Sequence, residues 1–310
     1  MKKTETKEQW MQKTWVVWLG AFLCCALWGS AFPCIKIGYE LFKIESSQTA
    51  TQILFAGCRF TLAGILSILI GSLLGRSFLV PQKEAYGKIL NLCIFQTVLQ
   101  YVCFYIGLAH TSGVKASIIE GVNVFVAILI ASLIFHQEKL SVRKMLGSVI
   151  GFSGVVLVNL VGNELSGGFS ILGEGSILLS TVAYAFSSVL MKRYSKKENP
   201  VTLSGYQFVL GGLIMVGIGL LLGGRIEYMT LSGLAMLIYL ALLSAVAYAL
   251  WGILLKYNPV SKVAVFGFMN PVFGVLLSSV LLNEYGTLSY ISILSLGLVC
   301  LGIYMVNKEA

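Results

Sequence analysis

The sequence predicts an all-α membrane protein with ten transmembrane helices in two inverted-topology five-helix repeats. Three observations predict this fold: scarce charge, ten long apolar stretches, and a residue pattern that recurs in the second half. The chain has 310 residues, of which 57% are hydrophobic and 11% are charged. A soluble domain carries about 25% charged residues. Because so little charge cannot cover a water-facing surface, much of the outside is expected to face lipid.

The apolar stretches are long enough to cross a bilayer. Crossing about 30 Å of hydrocarbon requires roughly 20 mostly apolar residues in a helix. The predicted spans are 15–37, 51–74, 88–109, 113–135, 142–161, 174–191, 204–223, 231–254, 262–282 and 287–306. Residues 1–14 are predicted to form a cytoplasmic N-terminal tail. The first five-helix repeat is predicted at 15–161 and the second, inverted repeat at 174–306.

The basic residues predict the orientation, because cytoplasmic loops retain Lys and Arg. Most of the 22 Lys and Arg residues fall on one side of the predicted spans. The other side holds Lys36, Lys43, Lys115 and Arg225. Both termini are therefore predicted to be cytoplasmic in a multi-pass protein of the cell inner (plasma) membrane. The net charge of +9 lies in short clusters, which favours contact with membrane lipids and disfavours a nucleic-acid partner.

An internal repeat supports the division into two halves. The fourth and ninth spans share residues at an offset of 146, with Gly121, Glu138 and Gly151 matching Gly267, Glu284 and Gly297. The second and seventh spans share residues at an offset of 148, with Phe60, Gly64 and Gly71 matching Phe208, Gly212 and Gly219. Because each repeat holds an odd number of spans, the second copy must enter the membrane from the opposite side.

Several short motifs carry a resemblance to a known family. They are Leu27-Trp28-Gly29-Ser30, Arg59-Phe60, Asn270-Pro271, and Glu138 and Glu284, each followed by a Gly-rich helix. Over nearly the whole chain the sequence resembles the drug/metabolite transporter superfamily, EamA type. The resemblance implies ten helices and a central cavity lined mainly by helices 1, 3, 4, 6, 8 and 9. It also implies transport of amino acids, other metabolites or drugs, often as export. The fourth span departs from the family pattern at Asn123, where a Pro is common.

Two ionisable residues, Arg59 and Glu120, lie clearly within spans. A charge at the bilayer centre costs at least about 2.5–3.5 kcal/mol, so each needs a partner or a wet cavity. Both are predicted about 10–12 Å below the outer face, level with each other. Two interpretations remain open: a structural ion pair between the second and fourth spans, or a Glu120 that faces the cavity. In the second, Glu120 carries a proton or serves as counter-ion to a substrate ammonium.

Polar and aromatic residues near mid-depth are the other site candidates. Asn270-Pro271 interrupts the helical hydrogen bonds near the midplane, which membranes tolerate beside protein or a cavity. The predicted substrate-binding residues are Trp28, Gln96, Gln100, Glu120, Asn123, Tyr184 and Asn270. Each amide could instead form a structural hydrogen bond between two helices. Each aromatic residue could instead pack in the protein core. Lys115 and Lys262 are interpreted as interfacial anchors or as entrance charges. Trp251 is interpreted as an interfacial belt residue.

These patterns predict a secondary active transporter of small, amino-acid-like metabolites, working by alternating access and moving them outward. The alternative is a proton-coupled exporter of cationic drugs or amines. An intramembrane enzyme is less favoured, because the sequence has no His-Glu-x-x-His or Gly-x-Ser-x-Gly motif. We therefore predict no enzymatic activity, no catalytic residue, no metal site and no cofactor. The expected partners are a small-molecule solute and membrane lipids, with proton coupling and oligomeric state left open.

Overall fold

The computed structural model describes residues 6–45, 47–111, 113–160, 169–281 and 290–308. Within these ranges the chain forms helices and connecting turns, and no strand. The α-helices are α1 (Lys7–Gln12), α2 (Thr14–Phe42), α3 (Thr49–Gly75), α4 (Tyr86–Leu92), α5 (Gln100–Leu108), α6 (Gly113–Gly121), α7 (Asn123–Leu129), α8 (Val142–Leu160), α9 (Ser176–Ser195), α10 (Pro200–Leu221), α11 (Leu231–Tyr257), α12 (Val260–Ala264), α13 (Met269–Leu281) and α14 (Tyr290–Asn307). Short 3-10 turns at Lys83–Ala85 and Val265–Phe268, and π-helical segments at Cys93–Leu99, Ile130–Ile134 and Ile171–Gly175, join some of them.

Long apolar helices dominate the described residues. Six are long and apolar enough to cross a membrane: Thr14–Phe42, Thr49–Gly75, Lys83–Leu108, Ile171–Ser195, Pro200–Leu221 and Leu231–Tyr257. Three shorter apolar helices lie at Ile118–Ile134, Val260–Gly274 and Ile293–Asn307. The chain is thus an all-helical, multi-pass membrane protein. The total of ten spans stays a prediction, and Glu284 lies outside the described residues.

Local sequence signals explain where several helices begin and end. Asn199 caps α10, its Oδ1 accepting from the Val201 N–H at 2.9 Å, and Pro200 takes the first position of the helix. Thr230 caps α11 in the same way through the Gly233 N–H at 3.0 Å. In the predicted N-terminal tail, Thr6 and Gln9 form a reciprocal capping box that starts α1. The tail is therefore partly helical.

The most extensive packing of two helices joins α3 of the first repeat to α10 of the second. A Cβ added at Gly64 would lie 2.5 Å from Val209 N, and one added at Gly212 would lie 2.4 Å from Thr61 N. Adding 148 to residue number 64 gives 212, and subtracting 148 from 209 gives 61, so each contact is the counterpart of the other. The two helices therefore pack antiparallel and are related by a local two-fold axis. Phe60 and Phe208, which match at the same offset, stack on each other with ring centroids 5.2 Å apart. Small residues let the two backbones touch without a side chain between them.

A second antiparallel pair, α8 and α14, repeats this arrangement. A Cβ added at Gly154 would lie 2.6 Å from Ser295 O, and one at Gly302 would lie 2.5 Å from Gly147 O. These two contacts are also counterparts of each other at an offset of 148, since 154 corresponds to 302 and 295 corresponds to 147. The sequence match of Gly151 with Gly297, which uses an offset of 146, is therefore wrong, because the two glycines do not occupy equivalent positions in the two repeats. Gly151 lies against the Phe268 ring, whereas an added Cβ at Gly297 would meet open space.

The remaining helices pack across the repeats in two similar groups. In one group α2 packs on α11 and α13, and in the other α9 packs on α5 and α7. The largest hydrophobic cluster includes residues where α2, α4, α10 and α12 begin and α9 and α11 end, and it continues into α7, α8, α13 and α14. We call the end of the molecule where α2, α4, α10 and α12 begin the sealed end. Val17, Leu203, Leu254 and Val260 are all fully buried there.

The α3–α10 contact generates a stability prediction. Gly212→Ala would place a methyl group against the α3 backbone, and such overpacking costs about 1–3 kcal/mol. We expect a lower melting temperature of the purified protein in detergent. Gly217→Ala in the same helix is the control, because its Cβ would meet nothing within 4 Å. Equal melting temperatures for the two variants would contradict close packing at Gly212.

Candidate functional site

A cavity of about 130 Å³ lies beyond the hydrophobic cluster of the sealed end, between the two repeats. It is bordered by both repeats, since α2, α3, α5, α6 and α7 contribute from the first and α9, α11 and the 267–271 stretch from the second. The lining residues are Trp28, Ala31, Phe32, Ile35, Arg59, Gln100, Tyr101, Phe104, Tyr105, Glu120, Gly121, Asn123, Tyr184, Tyr248, Gly267, Asn270 and Pro271. Its wall is therefore largely aromatic, with a small number of polar and charged groups.

Irregular backbone borders this cavity. Val122 interrupts the helix between α6 and α7, which places Glu120 and Asn123 on either side of the break. The 3-10 turn Val265–Phe268 separates α12 from α13, and Pro271 follows as the third residue of α13. Pro has no N–H to offer to the preceding turn. Membrane proteins tolerate broken helices where the break borders protein or a cavity, and both breaks here border the cavity.

Four aromatic residues form one side of the cavity. The Trp28 ring makes edge contacts with Tyr184 and Tyr248, at centroid distances of 6.5 and 5.0 Å. The hydroxyls of Tyr101 and Tyr248, from different repeats, are hydrogen-bonded at 2.7 Å. The Trp28 Nε1 atom is buried and has no hydrogen-bond partner in the described part of the chain. This side of the cavity therefore consists of aromatic rings and includes one N–H group, that of Trp28, without a hydrogen-bond partner among the described residues.

Arg59 supplies a positive charge to the cavity. Its side chain is buried, and its Nε and Nη2 atoms donate to Ser244 Oγ at 3.1 and 2.9 Å. Nε also approaches the Leu240 carbonyl at 3.3 Å, and the guanidinium lies 5.1 Å from the centroid of the Phe60 ring. Neutral acceptors and an aromatic ring thus hold the guanidinium, and no carboxylate of the described residues pairs with it.

Glu120 supplies a negative charge to the same cavity. Among the described residues it has neither a hydrogen bond nor an ion pair, and it therefore does not pair with Arg59. The interpretation of these two residues as a structural ion pair is wrong for this structure. The physical reason lies in α11, whose Ser244 and Leu240 accept from Nε and Nη2 and hold the guanidinium against that helix.

Two amides in the cavity carry unused acceptors. The Oε1 atom of Gln100 and the Oδ1 atom of Asn270 are buried without a partner in the described structure. Asn123 lies across from Gly267, where an added Cβ would come within 3.8 Å of Asn123 Oδ1. The structure therefore brings Trp28, Gln100, Glu120, Asn123, Tyr184 and Asn270 together at one cavity. Their part in substrate binding stays a prediction.

Gln96 is the exception among the predicted binding residues, because it does not line the cavity. Its Oε1 accepts from Gln207 Nε2 at 3.1 Å, and Gln207 Oε1 accepts from Thr97 Oγ1 at 2.6 Å. All three side chains are buried. The π-helical turn at Cys93–Leu99 aims Gln96 toward α10, so the residue links two helices.

Of the two predicted entrance lysines, Lys262 does not line the cavity. Lys262 Nζ donates to the Gln12 carbonyl at 3.3 Å, at the sealed end. Its role as an interfacial anchor or as an entrance charge stays a prediction. Lys115 belongs to α6, but its side chain lies outside the described residues. The interpretation of Trp251 as a belt residue is wrong, because it is buried with its ring centroid 5.0 Å from that of Trp28.

Sequence reasoning missed Ser244, the residue that holds Arg59. Its Oγ accepts from Arg59 and donates to Leu240 O at 2.9 Å within α11. The sequence signal is faint, since one serine in a long apolar helix commonly bonds to its own backbone. Phe32 and Phe104, which also line the cavity, were missed because they resemble ordinary lipid-facing residues.

Comparison with known proteins gives a consistent result. The EamA-like transporter family model matches residues 14–160 and 171–308. An uncharacterized transporter of Archaeoglobus fulgidus is 30% identical, with 94% of this chain and 99% of the relative covered. The uncharacterized transporter YvbV of Bacillus subtilis is 25% identical, with 97% and 94% covered. One solved crystal structure has a TM-score of 0.75 at 18% identity, with 95% of this chain and 97% of that chain covered, and so shares the fold.

The two glutamines of the third span provide a test of the site assignment. Gln96→Leu would leave the buried Gln207 amide without its acceptor, a loss of about 1–3 kcal/mol. Gln100→Leu removes an Oε1 that has no partner, so we expect a smaller fall in melting temperature. Thermal unfolding in detergent measures both. A larger fall for Gln100→Leu would contradict the assignment of Gln96 to packing and Gln100 to the cavity.

Proposed function

Because the chain belongs to the EamA-like transporter family, we propose that it is a secondary active transporter of small, amino-acid-like solutes, working by alternating access and moving them outward. We propose ten transmembrane helices in two inverted repeats, an inner-membrane location and cytoplasmic termini. The antiparallel α3–α10 and α8–α14 pairs support the inversion, because their contacts exchange at one offset. The basic residues at the sealed end, such as Lys88 and Lys144, support its assignment as the cytoplasmic side.

One observation carries the choice of solute: two charges of opposite sign line the same cavity without pairing. Arg59 has neutral partners, and Glu120 has no partner among the described residues. A buried charge without compensation is costly, and the cost falls when a ligand supplies the opposite charge. A zwitterion would satisfy both groups at once, with its carboxylate at Arg59 and its ammonium at Glu120.

The neutral groups of the cavity fit the same type of solute. Gln100 and Asn270 offer acceptors to an ammonium or amide, and Trp28 offers a donor. The aromatic rings of Trp28, Tyr184 and Tyr248 give an apolar surface for the solute's side chain. A mostly apolar pocket with a few placed polar groups is the usual form of a small-molecule site.

The position of the cavity supports alternating access. It lies between the repeats and away from the sealed end, where a hydrophobic cluster closes the molecule. If the repeats exchange their conformations, the cavity becomes exposed at the sealed end and closed at the other. Proton coupling through Glu120 would provide the energy, because its apolar surroundings disfavour a bare carboxylate.

A second candidate, a proton-coupled exporter of cationic amines, has its own supporting observation. Trp28, Tyr184 and Tyr248 form connected ring faces in the cavity that also contains Glu120. Aromatic faces attract cations, and a carboxylate adds to that attraction. Arg59 disfavours this candidate, since a buried guanidinium repels a monocation.

Charge removal distinguishes the two candidates in uptake assays with proteoliposomes, using labelled neutral amino acids and labelled monoamines. For a zwitterionic solute, Arg59→Gln and Glu120→Gln should each raise the half-saturating concentration about tenfold or more. For an amine, Glu120→Gln should weaken transport and Arg59→Gln should not. Arg76→Gln and Glu84→Gln, at exposed sites, are the matched controls. Full transport of amino acids by Arg59→Gln would contradict the zwitterion proposal.

Proton coupling is tested separately with an imposed proton gradient. We expect the gradient to stimulate uptake by the natural chain and by Glu84→Gln, but not by Glu120→Gln, which has no titratable carboxyl. Internal pH, followed with a trapped dye, measures proton movement together with solute. Unchanged coupling in Glu120→Gln would remove Glu120 from the coupling mechanism.

A further inference from the structure

Glu138 forms a polar contact between the two repeats at the sealed end. Its Oε1 atom accepts from the Ser261 backbone N–H at 2.9 Å. Its Oε2 atom accepts from Ser261 Oγ and from Lys144 Nζ, the latter at 2.7 Å. Glu138 and Lys144 belong to the first repeat, and Ser261 belongs to α12 of the second. One carboxylate thus joins the repeats through both of its oxygens.

Burial distinguishes this contact from another ion pair at the same end. The side chains of Glu138 and Lys144 are each 6% exposed. In the Lys88–Glu198 pair, which also crosses the repeats, the exposed fractions are 23% and 10%. Water and salt reach the more open Lys88–Glu198 pair and screen it more than the Glu138–Lys144 pair. Separating a buried carboxylate from its partners is costly unless water replaces them. The Glu138 contact can therefore break only when this region opens to water.

The segment held by Glu138 leads directly to the cavity. Ser261 is the second residue of α12, which continues through the 3-10 turn Val265–Phe268 into α13. Gly267 and Asn270, in that continuation, line the cavity. A 3-10 turn within a helix is a common site of hinge motion. The start of α12 and the cavity wall are thus two ends of one short, irregular segment.

The neighbouring corner between α11 and α12 is fixed within the second repeat. Lys192 of α9 donates to the carbonyls of Leu255 and Asn258, the former at 3.2 Å. This contact ties the beginning of α12 to the end of α9. Motion of one repeat against the other would consequently act on the Glu138–Ser261 contact, because the corner moves with its own repeat.

We propose that Glu138 is a latch between the repeats. Its carboxylate holds α12 against the first repeat, keeps the sealed end closed, and must release Ser261 before the cavity opens to that side. The latch rests on the proposed function, in which the cavity is exposed to each side in turn. A latch of this kind sets the populations of the two states without contacting the solute.

Accessibility of a buried position behind the latch tests the proposal. Ala264, in α12, is 5% exposed. In a chain with the seven native cysteines replaced, Ala264→Cys would report opening of the sealed end through its rate of reaction with a membrane-impermeant maleimide in nanodiscs. We expect Glu138→Gln and Glu138→Ala to raise this rate about tenfold. Glu198→Gln, the matched control, should change it less than twofold.

Folding is checked by gel filtration and thermal unfolding. If either Glu138 variant folds, an unchanged labelling rate overturns the latch. If neither folds, Ser261→Ala decides, because it removes one donor and keeps the buried charges compensated. A raised rate in Ser261→Ala then supports the latch, and an unchanged rate overturns it.

The same experiment separates the latch from the proposed function. Labelling does not depend on the solute. If the natural chain transports no amino acid or amine but the Glu138 variants label faster, the solute proposal fails and the latch stands. If the natural chain transports amino acids and the variants label at the natural rate, the latch fails and the transport proposal stands.

Discussion

The antiparallel contact between α3 and α10 is the constraint on which the arrangement of the repeats depends, because lipid gives apolar helices no hydrophobic reason to associate. Association must come from close packing and from backbone approach at small residues. Gly64 and Gly212 provide that approach, and stacked Phe60 and Phe208 lie beside it. Together with α8 and α14, this pair orients the two repeats and leaves the other helices to enclose a cavity.

Irregular backbone around the cavity follows from the same packing. A helix in lipid must satisfy its own backbone groups, so breaks are tolerated only where protein surrounds them. Val122 and the turn Val265–Phe268 interrupt two helices that face the cavity from different repeats. These breaks carry Asn123 and Asn270 to the cavity wall. They also give the segment from Ser261 to Asn270 a place to bend.

The distribution of charge distinguishes the cavity from the sealed end. In the cavity, Arg59 and Glu120 are separate and do not neutralise each other. At the sealed end, Glu138, Lys144 and Ser261 satisfy one another and are nearly fully buried. Uncompensated charge is useful where a solute binds, whereas compensated charge is useful where two surfaces must hold and release. One chain thus uses buried charge in two different ways.

The sequence by itself determined the class of protein, the positions of the long helices and the charged and amide residues of the cavity. Composition and helix length follow directly from the thickness and polarity of the bilayer, so they can be read without coordinates. The Pro that follows Asn270 indicated a broken helix, because Pro has no N–H to donate to the preceding turn. The glycines of the second and seventh spans match at an offset of 148, but only the structure showed that these two helices pack on each other.

Only the tertiary structure decided which polar groups meet. Gln96 and Gln100 are one turn apart, yet the first bonds to Gln207 and the second lines the cavity, since a π-helical turn changes their relative direction. Arg59 and Glu120 have opposite signs and were predicted at one depth, but Ser244 on a distant helix binds the arginine. Side-chain direction and partners far along the chain are set by packing, which residue spacing does not encode.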